Sequence, residues 1–196
     1  MNKRTKEITV IGVFAAVGFA LMMVADLVPK LPFVPSFLTL DISDLPALLA
    51  TFMFGPFAGV AVCLIKNIIH MPFSGTMMVG ELSNFIIGSV FCLVCGFAYR
   101  FKRTRMGALI AMACGSLSAG AVCFFTNLFI VYPLYYAFVV PKEVILSMCR
   151  NILPWIDSIE QSLIIFNVPF TVAKCILCSV VTFFVYKKLK RALNLE

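Results

Sequence analysis

The chain has 196 residues, of which 62% are hydrophobic and 13% charged, and its mean hydropathy is +1.03. A soluble domain of this size leaves too much surface wet to hide that apolar content, and a disordered chain would be poor in apolar residues and rich in charge. What remains is an integral membrane protein with little mass outside the bilayer and lipid as its surroundings. The formal net charge is +7, but the basic residues cluster at the ends of apolar runs and form no separate basic domain, which excludes nucleic acid as a partner.

Residues 8–25 carry no charge and follow Lys3, Arg4 and Lys6. A signal peptide would have a shorter apolar core, ~7–15 residues, ending in a small-x-small cleavage site. This run ends instead in Asp26-Leu27-Val28-Pro29, so it reads as a retained first helix. Gly12, Ala16 and Ala20 recur on it at every fourth position. Such a stripe of small residues lets another helix approach closely, whether from a partner or from this same chain. Residues 29–40 hold Pro29, Pro32 and Pro35 and read as an extended loop. Leu31, Phe33, Val34, Phe37, Leu38 and Leu40 make that loop too apolar to stand in water, so it should rest on bilayer, protein or ligand.

Residues 41–71 contain Gly55-Pro56, a strong turn signal. Charge decides whether it splits the segment. The clusters at 3–6, 100–105 and 187–191 hold 11 of the 16 Lys and Arg residues, and the positive-inside rule assigns all three to the cytoplasm. An even number of spans must separate each cluster from the next: four, then two. The prediction is an all-α, integral membrane six-helix bundle, one domain over residues 1–196, with N and C termini cytoplasmic. Its helices lie at about 8–28, 43–54, 57–70, 79–99, 106–132 and 162–186. The second and third reach only ~20 Å against a ~30 Å hydrocarbon core. Residues 134–161 form a larger external segment, where Trp155 suits an interfacial belt.

The eight cysteines include two C-x-x-C pairs, Cys92/Cys95 and Cys175/Cys178. Both pairs lie in apolar runs with no histidine nearby and read as helix packing residues rather than zinc or redox sites. Only Cys149 falls in an expected loop, so no disulfide framework follows.

Polar residues at membrane depth are costly and are candidates for function. Lys174 is the only charge within residues 161–186; it either serves a ligand or pairs with a buried carboxylate. Asn127 either reads a planar heteroatom edge or makes an interhelical hydrogen bond. Lys66, Asn67, His70, Glu81 and Asn84 gather toward the external side, where Lys66 could snorkel or pair with Glu81. Asp41, Ser43 and Asp44 suit the start of the second helix. No nucleophile, metal-hydrolase, Walker or dinucleotide motif occurs. The chain therefore reads as no enzyme and calls for no cofactor. A binding component powered by partners is the first reading; a small membrane enzyme is the second, and it lacks a base and nucleophile at one depth.

The blocks Leu40-Asp41-Ile42-Ser43-Asp44-Leu45-Pro46, Phe54-Gly55-Pro56-Phe57-Ala58-Gly59, Lys66-Asn67-Ile68-Ile69-His70 and Gly80-Glu81-Leu82-Ser83-Asn84 add something spacing alone does not. In order and spacing they resemble the riboflavin-specific substrate-binding (S) components of energy-coupling factor (ECF) vitamin transporters. Thr126-Asn127 and Ala173-Lys174 extend the likeness more weakly. The resemblance implies a six-helix protein of the bacterial plasma membrane that captures riboflavin, or FMN, from outside. It implies a transmembrane coupling protein (EcfT) and two EcfA-type ATPases as partners. Ala16-Val17-Gly18-Phe19-Ala20 matches the family's alanine-x-x-x-alanine motif, so Gly12, Ala16 and Ala20 become the expected partner face. The loop after helix one becomes a lid, and Leu38, Thr39, Leu40, Glu81, Asn84, Asn127 and Lys174 become the expected ligand set, with Asn127 and Lys174 on the polar edge of the flavin ring. An S component for another vitamin is the rival within transport.

Overall fold

The computed structural model describes residues 2–29, 34–35 and 38–192. Part of the apolar loop expected at 29–40 thus lies outside the described residues: Lys30, Leu31, Pro32, Phe33, Ser36 and Phe37. Every regular element among the described residues is helical. They are α1 (Lys3–Leu27), α2 (Asp44–Phe54), α3 (Pro56–His70), α4 (Val79–Phe101), α5 (Arg105–Thr126), α6 (Tyr132–Phe138), α7 (Lys142–Arg150), α8 (Ile159–Ser162) and α9 (Val168–Ala192). The all-α class follows the sequence reading.

Five stretches are long and apolar enough to cross a membrane: Arg4–Leu27, Pro56–Phe73, Val79–Phe101, Arg105–Phe138 and Ile159–Tyr186. The remaining apolar helix, α2, has 11 residues, or about 16 Å at the α-helical rise. Its brevity is offset by its place. It packs against α1, α3, α4 and α9, and Ala47, Leu48 and Ala50 have no exposure at all. A helix wrapped by protein on all sides does not have to match the bilayer thickness. The α2–α3 turn requires Gly55, whose φ of +112° side chains rarely tolerate. Pro56 then opens α3, where its missing N–H costs nothing.

The fifth expected helix departs from expectation at its proline. A helix end was expected at 132, before Pro133. Instead a π-helical turn, Asn127–Val131, carries the helix into α6. A second π turn, Leu163–Asn167, lies just before Val168-Pro169. Proline gives no i→i−4 bond and its ring crowds the carbonyl four residues back, here Phe129 and Ile165. Widening each turn to π relieves that crowding. The external segment also holds more helix than expected. Cys149, expected in a loop, is on α7, fully buried, with its Sγ 3.0 Å from Ser162 Oγ. The reason is amphipathy: Ile145 and Cys149, four apart, turn inward while Lys142, Glu143 and Arg150 stay exposed.

Val10 near the start of α1, Tyr99 near the end of α4 and Tyr186 of α9 pack around the end of α2. The start of α1, the α4–α5 junction and the end of α9, which bear the basic clusters, therefore share one end of the bundle. The ends of α1 and α3 and the start of α4 meet at the other.

Candidate functional site

Two polar sets sit at that other end. The deeper one begins with Asp41, in the loop before α2. Ser43 donates to it from its backbone N and from Oγ, each at 2.7 Å, and Asn84 Nδ2 of α4 donates at 3.0 Å. Lys174 of α9 donates to Asp41 Oδ2 (3.2 Å) and Asn84 Oδ1 (3.0 Å) and lies 3.1 Å from Asp44 Oδ2. Lys66 of α3 donates to Ser43 Oγ and to Asp44 Oδ1 at 2.6 Å, with no exposure of its own. Two carboxylates and two ammonium groups thus balance in one cluster. Burial works against charge on Asp41, yet Lys174, Lys66 and the bonds from Ser43 outweigh it and hold that carboxyl below the usual range. Helix α1 closes over the cluster at Gly18, where a Cβ would come within 3.1 Å of Lys66 Cδ and 3.3 Å of Ser43 O.

The second set lies nearer the open end. His70 faces two carboxylates: Glu81 Oε1 at 2.8 Å from Nδ1, and Asp26 Oδ2 at 3.1 Å from Nε2. Ser74 Oγ donates to Glu81 Oε2 at 2.7 Å and itself accepts from Met78 N at 2.9 Å. That bond steadies a connection in which Met77 and Met78 both take positive φ. Such strain persists where surroundings impose it and is frequent at functional sites.

A cavity of about 650 Å³ runs between the two sets. Leu38, Thr39, Glu81, Asn84, Asn127 and Lys174, all expected ligand residues, line it. Leu40 does not; it is 42% exposed. The expected pairing of Lys66 with Glu81 is also replaced: Lys66 takes Asp44, and Glu81 takes His70. Asn127 Nδ2 donates to Cys123 O (2.7 Å) and Cys123 Sγ (3.0 Å). Both amide protons are thereby used on its own helix, and the carbonyl oxygen is the group left for a ligand.

The structure adds residues that the sequence reading passed over or underrated. Asp41 and Asp44 were read as helix caps, but Ser43, the residue at the cap position, makes no side-chain cap bond. Both aspartates are counter-ions. The usable signal was charge balance, since two lysines at membrane depth need two acids. Asn167 lines the cavity, and its Oδ1 accepts from Tyr132 Oη at 3.3 Å. Its signal was an amide side chain within an apolar run, and it ends a π turn, a feature common at functional sites. Asp26 also lines the cavity and had been noted only as the end of an apolar run. On α1, Gly12, Ala16 and Ala20 are exposed, whereas Phe14, Ala15 and Gly18 turn inward. A Cβ on Gly12 would meet nothing within 4 Å. The small stripe therefore faces away from the protein's own core.

A model of the family described as ECF transporter, substrate-specific component, matches residues 6–186. The chain is 30% identical over 192 residues to the riboflavin transporter RibU of Staphylococcus aureus (strain TCH60), across 98% of this chain and 94% of that protein. It is 28% identical over 191 residues to the riboflavin transporter FmnP of Bacillus subtilis (strain 168), across 95% and 93%. A solved structure titled "Structure and mechanism of the S component of a bacterial ECF transporter" superposes with a TM-score of 0.76 at 30% identity, covering 97% of this chain and 99% of that one.

Proposed function

The chain belongs to the substrate-specific components of ECF transporters, and from that premise we propose that it captures riboflavin from outside a bacterial cell and passes it inward across the plasma membrane. The cavity carries this reading. Its volume, about 650 Å³, lies within the ~300–1,000 Å³ of ordinary ligand pockets, which pair apolar walls with a few convergent polar groups. An isoalloxazine asks for that combination, with an apolar benzenoid end and an edge of N–H and C=O groups. Val131, Tyr135, Val139 and Phe170 supply apolar wall; Asp41, Asn84, Thr171 and Lys174 supply the polar floor.

In this reading Lys174 has two tasks. It neutralises Asp41 and Asp44, and it fixes Asn84 at the floor with its amide aimed. Asn127 offers its carbonyl oxygen to a flavin N–H. Glu81 accepts from ligand hydroxyls at the open end, and Leu38, Thr39 and Leu40 belong to a lid that closes over the ring. The chain has no nucleotide motif, so the work of transport falls to a transmembrane coupling protein and two ATPases, met through Gly12, Ala16 and Ala20. N and C termini lie in the cytoplasm with the basic clusters.

Riboflavin titrated into purified protein in detergent, with no ATPase present, tests the reading. Flavin fluorescence should quench to an end point of about one ligand per chain. No quenching, with a different vitamin binding instead, would move the chain to another specificity within the same family.

A further inference from the structure

The charged groups lining the cavity are unequal in sign. Among the described residues they are Asp26, Asp41 and Glu81 against Lys174, with His70 between Asp26 and Glu81. Lys174 is matched by Asp41 and Asp44, and Lys66 beneath it by Asp44. In the external segment Arg150 pairs with Asp157 at 3.3 Å, and Lys142 is exposed to solvent outside the cavity lining. The mouth thus presents two carboxylates to one imidazole. The net charge of +7 gives no relief there, because the basic clusters lie at the far end of the bundle. That is a hydrocarbon thickness away, ~30 Å, several times farther than the contact range at which Asp26 and Glu81 would meet a bound ester.

We propose that Asp26 and Glu81, bridged by His70, make this cavity selective for the neutral flavin and reject its phosphate monoester. A phosphate monoester brings about two negative charges near neutral pH. Within the cavity that charge meets Asp26 and Glu81, while the one lysine of the described lining, Lys174, is already matched by Asp41 and Asp44. Riboflavin carries no charge and enters without that cost. The proposal rests on the riboflavin reading above and adds to it the residues that set its specificity.

Parallel titrations of the purified protein in detergent with riboflavin and riboflavin 5′-phosphate, at low and at physiological salt, test it. The ester should bind about tenfold or more weakly at low salt, and the gap should narrow as salt screens the mouth. Asp26→Asn should narrow the affinity ratio by about threefold or more at low salt. Asp26 is the lead variant because its side chain is 48% exposed, so its neutralisation spares the core; Glu81→Gln should act in the same direction. Equal affinities, a gap independent of salt, or a ratio unchanged in Asp26→Asn would each overturn the proposal. A salt-independent gap would mean that size rather than charge excludes the ester. If riboflavin binds and the ester binds equally well, only this inference fails. If riboflavin does not bind at all, the functional reading fails and takes the inference with it.

Discussion

Lys66 is a fully enclosed cation whose ammonium meets Asp44 at 2.6 Å. Breaking such a pair by removing one partner leaves an uncompensated buried charge and costs about 3–5 kcal/mol. Lys66→Met should therefore lower the thermal midpoint of the ligand-free protein markedly. Adding Asp44→Leu should restore part of the loss, since the orphaned charge goes too; a further fall would mean that Asp44 is needed chiefly by Lys174. Lys174 differs because it lines the cavity as well as the cluster. Lys174→Ala should weaken riboflavin about tenfold or more, as 1.4 kcal/mol is one decade, and Asn127→Ala should do so less. Affinity and thermal midpoint measured on one preparation separate the roles. Lost stability with intact affinity would make Lys174 a purely structural cation. At this scale both lysines were legible from sequence because charge is rare in apolar runs. Their partners were not, because Asp-Ile-Ser-Asp before an apolar helix is also how an N-terminus is written.

Among the elements, α1 has two distinct faces. Phe14, Ala15 and Gly18 face the bundle, while Gly12, Ala16 and Ala20 face outward. Ala16→Leu or Ala20→Leu should leave riboflavin affinity intact and abolish cellular uptake, because the added bulk prevents close approach by a coupling helix. Uptake that persists at normal surface abundance would remove the stripe from the partner face. Gly18→Leu is the contrasting variant. Its side chain would drive into Lys66 and the Ser43 carbonyl, so the folded yield itself should fall. The positions of helices α1 to α4 were legible to within a few residues, since apolar runs, Gly55-Pro56 and charge mark them. The end of the fifth expected helix was not. Pro133 reads as a stop, and only the folded chain shows that a π turn lets the helix continue past it; Pro169 lies within the helix expected at 162–186.

At the scale of the whole molecule, the basic clusters and the cavity lie at opposite ends, and everything between is apolar helix pinned by one ion cluster. The grouping of the helix ends that bear basic clusters was readable, because those clusters recur at the ends of apolar runs. The cavity was not, because it is bounded by five segments distant in sequence. The cysteines offer a direct report on that assembly. All are free; seven are buried and only Cys114 is exposed. A fluorogenic thiol reagent should therefore give a small initial signal from Cys114 and a large cooperative rise on heating, when the other seven are uncovered. A ligand that binds only the folded state stabilises it by about 2.7 kcal/mol at one hundred times its Kd. For a chain of this size that shifts the midpoint up by about 5–10 °C. Riboflavin should produce that shift, and a vitamin that does not bind should leave the curve in place. Fluorescence quenching without any thermal shift would mean that the flavin partitions into detergent or onto the surface, and the cavity would lose its claim as the binding site.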